Sequence, residues 1–260
     1  MRGITFIEQY FILFMIYAVG GWIMEEIHCS ISEKKIVNRG FLIGPVCPIY
    51  GFGGMLITLF LTIFKSHPVA VFFIGMLLCA VLEYFTSLIM EKIFNARWWD
   101  YSDQKLNLNG RICIETLIPF GIFGLVVIYL LNPFLLKYIS KIPPIVLLFV
   151  SLTILIIFVT DILISFKTVS KITATAQKIS KENVKDNTNE ITKKMKEELK
   201  DSYNVNRLTK AFPNLKTFKI KVKEVAKKTA QKGKEVARKT AEKGKEVAKK
   251  TMEKGKKMLQ

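Results

Sequence analysis

No stretch of the sequence has the form GxxxxGK[ST], so the chain has no phosphate-cradling loop and cannot draw on nucleotide binding by itself. Cysteine is sparse: Cys29, Cys47, Cys79 and Cys113 show no CxxC spacing, and reduced thiols are expected. Histidine is sparser. His28 adjoins Cys29, but two adjacent side chains do not make a chelate, so neither a metal nor any other cofactor is expected. With His67 far from the acidic residues there is no nucleophile–base pair, which argues against an enzyme. A basic leader and a small-residue cleavage site are missing before the first apolar run, Ile4 to Ile27. That run is also too long for a signal peptide and reads as a retained helix. Charge is scarce and balanced through residue 166, with 11 Lys and Arg against 10 Asp and Glu. The remaining 167–260 hold 28 against 11, so nearly all of the net charge of +18 lies in the tail.

What is abundant is hydrophobic length. A hydrocarbon core needs about 20 apolar residues per helix. Five segments reach that: Ile4 to Ile27, Phe41 to Phe64, Pro68 to Phe94, Ile112 to Leu131 and Pro143 to Phe166. The expected fold is therefore all-α: a polytopic membrane helix bundle of about five spans (1–166), a polar cytoplasmic linker (167–222) and a basic amphipathic helical tail (223–260).

The second segment is unlike the others. Asn38 to Gly54 reads NRGFLIGPVCPIYGFGG and contains Gly44, Pro45, Pro48, Gly51 and Gly53. Proline removes a backbone donor, and hydrocarbon cannot satisfy the peptide groups that such breakers free. The segment is expected inside the bundle, as a broken or re-entrant second helix. Close packing through small residues, with no ligand, is the alternative.

Lys and Arg set the expected orientation. The first loop has Lys34, Lys35 and Arg39; the third, with its helix end, has Lys92, Arg97, Lys105 and Arg111. Both go to the cytoplasm with the tail, which leaves the N-terminus outside. Carboxylates then collect in the inner leaflet. Glu25, Glu26 and Glu91 lie at helix ends, Glu83 about 12 Å deeper than Glu91 at a rise of about 1.5 Å per residue, Glu115 at the entry to the fourth helix and Asp161 near the inner end of the fifth. Buried carboxylates usually face a bundle interior, paired or solvated. Glu25, Arg39, Glu83, Glu91, Arg97, Asp100, Asn109, Arg111 and Glu115 are the candidate substrate- or ion-binding residues; structural ion pairs at helix ends are the competing reading. In the third loop, Trp98, Trp99 and Tyr101 suit the membrane–water interface, and Asn109-Gly110 is a turn signal that would aim Arg111 toward Glu115, four residues on.

Gly21-Trp22 with Glu25, NRGFLIGPVCPIYGFGG, Glu83 with Met90-Glu91, RWWDYS (Arg97 to Ser102) and NLNGRIC (Asn107 to Cys113) together resemble a bacterial integral-membrane family labelled ABC-transporter permease, type IV. The resemblance covers roughly residues 10 to 130 and implies a permease role in the plasma membrane, with an ATPase on a separate chain docked at the cytoplasmic loops.

From Lys223 the tail repeats KEVAKKTAQKG, KEVARKTAEKG and KEVAKKTMEKG. Eleven residues make three turns, so Val225, Ala226, Thr229, Ala230 and their repeats stay on one helix face opposite Lys and Glu. Such a face suits an anionic lipid surface. No aromatic follows Phe218 to stack on bases, which argues against nucleic acid.

Three functions are consistent with these features. The chain is a permease subunit for a small molecule with an inward-facing polar site, a membrane-anchored scaffold working through its tail, or a membrane enzyme acting on lipid headgroups. In the enzyme reading Glu83, Glu91 and Glu115 would move protons while Arg39, Arg97 and Arg111 hold phosphate.

Overall fold

The computed structural model describes residues 2–33, 38, 40–94, 98–182 and 203–211. Among them there are helices and no strands: α1 (Arg2–Glu33), α2 (Pro48–Leu61), α3 (Pro68–Phe94), α4 (Ile114–Val126), α5 (Asn132–Ile139), α6 (Pro144–Glu182) and α7 (Tyr203–Ala211). A 3-10 turn, Thr62–Phe64, extends α2, and a π turn, Val127–Leu131, fuses α4 to α5.

Four stretches are long and apolar enough to cross a membrane: Thr5–Ile31, Pro68–Phe94, Ile114–Ile139 and Pro144–Thr175. Their outward faces carry large apolar side chains such as Val69, Leu130, Phe149 and Ile156, all exposed in the isolated chain. Several glycines and polar groups, among them Gly51, Gly54, Gly75, Thr58, Ser87 and Asn132, are turned inward. This is the inversion that a lipid solvent favours, since hydrocarbon rewards small residues at helix contacts and not apolar ones.

The run Phe41 to Phe64, expected as a further span, becomes helical only at Pro48, and Pro48–Phe64 is a shorter apolar helix. The reason is local. Pro45 has no amide to donate, and proline restricts the residue before it away from helical angles. Pro48 itself sits in the first turn of α2, where its missing N–H costs nothing.

α2 runs antiparallel to α1: the Tyr50 ring meets Gly21, while Tyr17 meets Gly54. The approach is close enough that a Cβ on Gly54 would lie 2.3 Å from the Tyr17 ring. On its other side α2 faces α3 and α4, with Gly53 toward Cys79, Leu82 and Phe123. α3 and α4 cross where Gly75 meets Gly124 backbone to backbone. Leu13, Ile57, Leu61, Val71, Val127 and Leu147 fill the core between them.

One polar knot interrupts that core. Tyr17 donates to Asn132 Oδ1; Asn132 Nδ2 donates to Thr58 Oγ1 at 3.1 Å, and Thr58 donates to the Gly54 carbonyl at 2.7 Å. The three side chains come from α1, α2 and α5, and all are buried. The π turn just before Asn132 has a cause in Pro133, whose ring would clash with the carbonyl four residues back in α-register and which has no amide to bond there.

α6 continues without a break from its apolar part through residue 166 to Glu182. α7 packs on it, with Val205 and Leu208 buried at the contact, as are Val169 and Ile172 of α6. The stretch just after residue 166, a polar helical exit by its sequence, is helical to Glu182 and has a second helix docked on it. The 11-residue repeat lies outside the described residues.

Candidate functional site

Residues 98–113, the C-terminal ends of α1 and α3 and the start of α2 gather at one end of the bundle, called here the loop end. The breaker segment is wired there on both edges of its backbone. Ile43 and Gly44 donate their amides to Asp161 Oδ1 and Oδ2 of α6 at 2.9 and 2.8 Å. The Val46 amide turns back on the Gly44 carbonyl, and the Cys47 amide reaches the Ala18 carbonyl of α1. Pro45 has no amide, so every donor from Ile43 to Cys47 has a partner, as burial requires. Asp161 is therefore a backbone anchor, and Gly44 is the residue it approaches closely: a Cβ there would stand 3.0 Å from Oδ2, so the carboxylate would have to shift to admit it. Gly51 likewise receives the Phe14 ring. Pro45 is exposed, Pro48 opens α2, and Gly53 makes ordinary contacts. The breakers act in close packing and in a backbone anchor.

Beyond this anchor two carboxylates meet two phenols. Tyr50 of α2 donates to Glu25 of α1 at 2.6 Å. Tyr101, from the loop, donates to Glu83 Oε1 of α3 at 3.3 Å. Glu83 is buried, and its Oε2 has no hydrogen-bond partner. Burial first, then the neighbouring carboxylate of Glu83, raise the Tyr101 phenol well above its ordinary range, with a smaller contribution from Glu25. The two carboxylates therefore act on one hydroxyl, and the four side chains form one cluster.

The loop that carries Tyr101 is pinned by a small hairpin. Leu108 pairs with Ile112, and Arg111 N–H closes on the Leu108 carbonyl at 3.0 Å. Asn109 and Gly110 both have positive φ, 55° and 66°, the conformation an Asn-Gly hairpin turn supplies. The turn directs Arg111 to Glu91 of α3 at 2.8 Å and to Ser87 at 3.1 Å, with both charged side chains buried. This corrects the expected Arg111–Glu115 pairing. The four-residue spacing rule holds within a helix, and α4 starts only at Ile114, so Arg111 lies before it. Glu115 is exposed in the first turn of α4. Asn109 donates to the Tyr84 hydroxyl at 2.9 Å, and the Tyr84 ring faces the Arg111 guanidinium at 5.7 Å. Asp100 is exposed and accepts from Ser102 within its own turn. Arg39 and Arg97 lie outside the described residues. Among the described residues no group of His, Cys, Asp and Glu could hold a metal ion.

A family model described as "Putative ABC-transporter type IV" matches residues 12–166. The chain belongs to this family. No curated protein and no solved structure matches it. With four helices able to cross a membrane, it is a multi-pass membrane protein of the transporter class. The family region contains Glu25, Tyr50, Glu83, Glu91, Tyr101, Arg111 and Asp161, whereas α7 lies beyond it.

Sequence reasoning missed the two phenols and Ser87. Tyr101 read as an interfacial aromatic because composition alone gives no sign that its loop folds back onto α3. Tyr50 was hidden in a run notable for glycine. A measurable consequence follows from the Tyr101 environment. The folded state holds the phenolic proton to higher pH than the unfolded state, which loses it near about pH 10. The folded chain then binds more protons, so stability falls as pH rises past that point. In Tyr101→Phe that component is absent. Wild type should begin to lose stability relative to this variant near about pH 10 and go on losing it as the pH is raised further, in denaturant titrations in mild detergent. A difference independent of pH would show the phenol to be solvated.

Proposed function

We propose that the chain is the membrane subunit of an ABC-type transporter, with the Glu25–Tyr50–Glu83–Tyr101 cluster as its inward-facing polar site. The observation that carries this reading is Glu83, a buried carboxylate whose Oε2 makes no hydrogen bond of good geometry although the Thr116 hydroxyl lies near, beside a second carboxylate and two phenols. A group so costly to bury is usually functional. In this reading the cluster takes the proton or the cationic or hydrogen-bonding part of a small molecule, and Glu83 holds the charge.

We further propose that the breaker segment and α2 together complete a fifth crossing. The antiparallel pairing of α2 with α1 and the internally satisfied backbone of residues 43–47 support this. Five crossings would put the loop end and the tail in the cytoplasm and the N-terminus outside, in the plasma membrane, as the Lys and Arg distribution favours. An ATPase from another chain would dock on the first loop and residues 95–111, since this chain has no nucleotide loop. The tail, in this picture, lies along anionic lipid. The enzyme reading is weakened by Arg111, whose guanidinium is committed to Glu91 and not open to a phosphate.

The test is purification of the full chain from its native host in mild detergent, with small-molecule profiling of the same cells. A stoichiometric ATPase should accompany wild type and Glu83→Gln alike, while cells with Glu83→Gln should show the small-molecule profile of cells lacking the gene. No ATPase would remove the ABC reading; a normal profile with Glu83→Gln would remove Glu83 from the site.

A further inference from the structure

The amide edge of the breaker segment is held by Asp161, Ala18 and Gly44. Its carbonyl edge faces a different partner. Arg207, on α7, donates through Nη1 to the carbonyls of Gly40 and Asn38 at 2.9 and 3.5 Å and to Asn38 Oδ1 at 3.2 Å, and through Nη2 to the Phe41 carbonyl at 3.4 Å. Four oxygens from three residues, Asn38, Gly40 and Phe41, thus converge on one planar cation. Burial lowers the guanidinium pKa, while Asp161 and, less strongly, Glu26 oppose that shift by stabilising the charge. Arg207 Nε is buried without a partner, so the side chain is desolvated well beyond the atoms that the carbonyls satisfy.

Two features separate this arrangement from an ordinary surface contact. The cradle is built without Arg207. Asn38 Nδ2 holds the Ile43 carbonyl at 3.1 Å, Asn38 Oδ1 accepts from the Gly40 amide and from Trp22 Nε1, and Asp161 fixes the next two amides. Those bonds hold the backbone on either side of the carbonyls that face the cation. The cation, in contrast, comes from a nine-residue helix outside the family region. The cradle belongs to the family region and its occupant does not.

We propose that the carbonyl cradle of Asn38, Gly40 and Phe41 is a binding site for a guanidinium or primary ammonium group, filled here by Arg207 as an internal ligand. Carbonyl and amide oxygens set around a planar fork, with a carboxylate behind them, select a hydrogen-bonding organic cation over a spherical or fully alkylated one. An external molecule or partner segment bearing such a group would compete with α7 for the cradle. Because the cradle leads directly into Gly44 and α2, its occupancy sets how firmly the breaker segment is held. The site is independent of whether the Glu83 cluster transports anything.

Cys47, three residues after Gly44 and half-buried, reports on the segment, while Cys29, Cys79 and Cys113 are buried elsewhere. The full chain in detergent is treated with a maleimide and the four thiols are followed separately by mass spectrometry. Arg207→Ala should speed modification of Cys47 about tenfold, the factor that one charge-assisted hydrogen bond carries, with the other three still protected. Millimolar methylguanidine should restore protection, and equal tetramethylammonium should not. Unchanged Cys47 reactivity would overturn the proposal, because the cation would then hold nothing. Faster labelling that methylguanidine cannot slow would overturn it too, because α7 as a whole would be the clamp. If alanine exposes all four thiols, Arg207→Gln is used, whose stem still packs and whose amide can donate once. Slowing of its Cys47 labelling by methylguanidine supports the site, and no slowing refutes it.

Discussion

Replacing Arg111 with alanine should destabilise the folded chain by about 3–5 kcal/mol, because it leaves the Glu91 carboxylate buried without its counter-ion. Both side chains are buried and lie 2.8 Å apart, so bulk water does not compensate for the loss. Glu91→Ala should cost as much by the converse route. Removing both charges at once, in Arg111→Met with Glu91→Leu, should recover most of the loss, since an apolar pair of similar volume avoids the desolvation cost. Arg111→Lys should fall between, because one ammonium cannot serve Glu91 and Ser87 with the geometry of a planar fork. Unfolding in mixed detergent, followed by circular dichroism, measures all four. If Arg111→Ala lies within about 0.5 kcal/mol of wild type, the pair is solvated and behaves as a surface contact.

The second large effect should come from the smallest change. At Gly21 a Cβ would stand 2.1 Å from the Tyr50 ring, far inside contact distance. Gly21→Ala should therefore push Tyr50 aside, at about 1–3 kcal/mol for overpacking, and break its bond to Glu25. The bond alone is worth about 1.5–3 kcal/mol, as a hydrogen bond to a charged group, and Tyr50→Phe should isolate that part. In a Tyr50→Gly background both the ring and the Tyr50 Cβ, which would lie 2.3 Å from the new methyl, are gone, and Gly21→Ala should then cost under about 0.5 kcal/mol, because the two residues are directly coupled. Equal cost in both backgrounds would mean that the α1–α2 contact relaxes freely.

These two sites differ in how far the sequence disclosed them. Long apolar runs are read easily because a span must satisfy its own backbone, and four of the five expected segments coincide with long helices. The spacing of Glu83 from Glu91 along one helix was also legible, since rise per residue converts sequence separation into distance along the axis. Partners were not. The Gly21–Tyr50 contact joins residues 29 apart by a fit of shapes, and glycine content signals only that something comes close. Arg111 read toward Glu115 by helix spacing, but two left-handed residues ahead of it turned the chain before the helix began. Tyr101 and Arg207 reach their sites from loop and post-span segments, where no periodicity constrains direction. The tail repeat has an evident face in sequence but falls outside the described residues.

The Asp161 anchor also bears on how the protein is made. The amides it satisfies, at Ile43 and Gly44, precede it by 118 and 117 residues. At synthesis rates of about 5–20 residues per second, those donors wait on the order of 6–24 s before their acceptor has even been polymerised. Through that interval the entry to α2 has peptide groups that hydrocarbon will not accept. If that segment completes a fifth crossing as proposed, its backbone is fully satisfied only when α6 delivers the Asp161 carboxylate, after α3 and α4 have been made. Ribosomes stalled before residue 161 should hold nascent chains in which Cys47 is still open to aqueous thiol reagents, and release past α6 should close it.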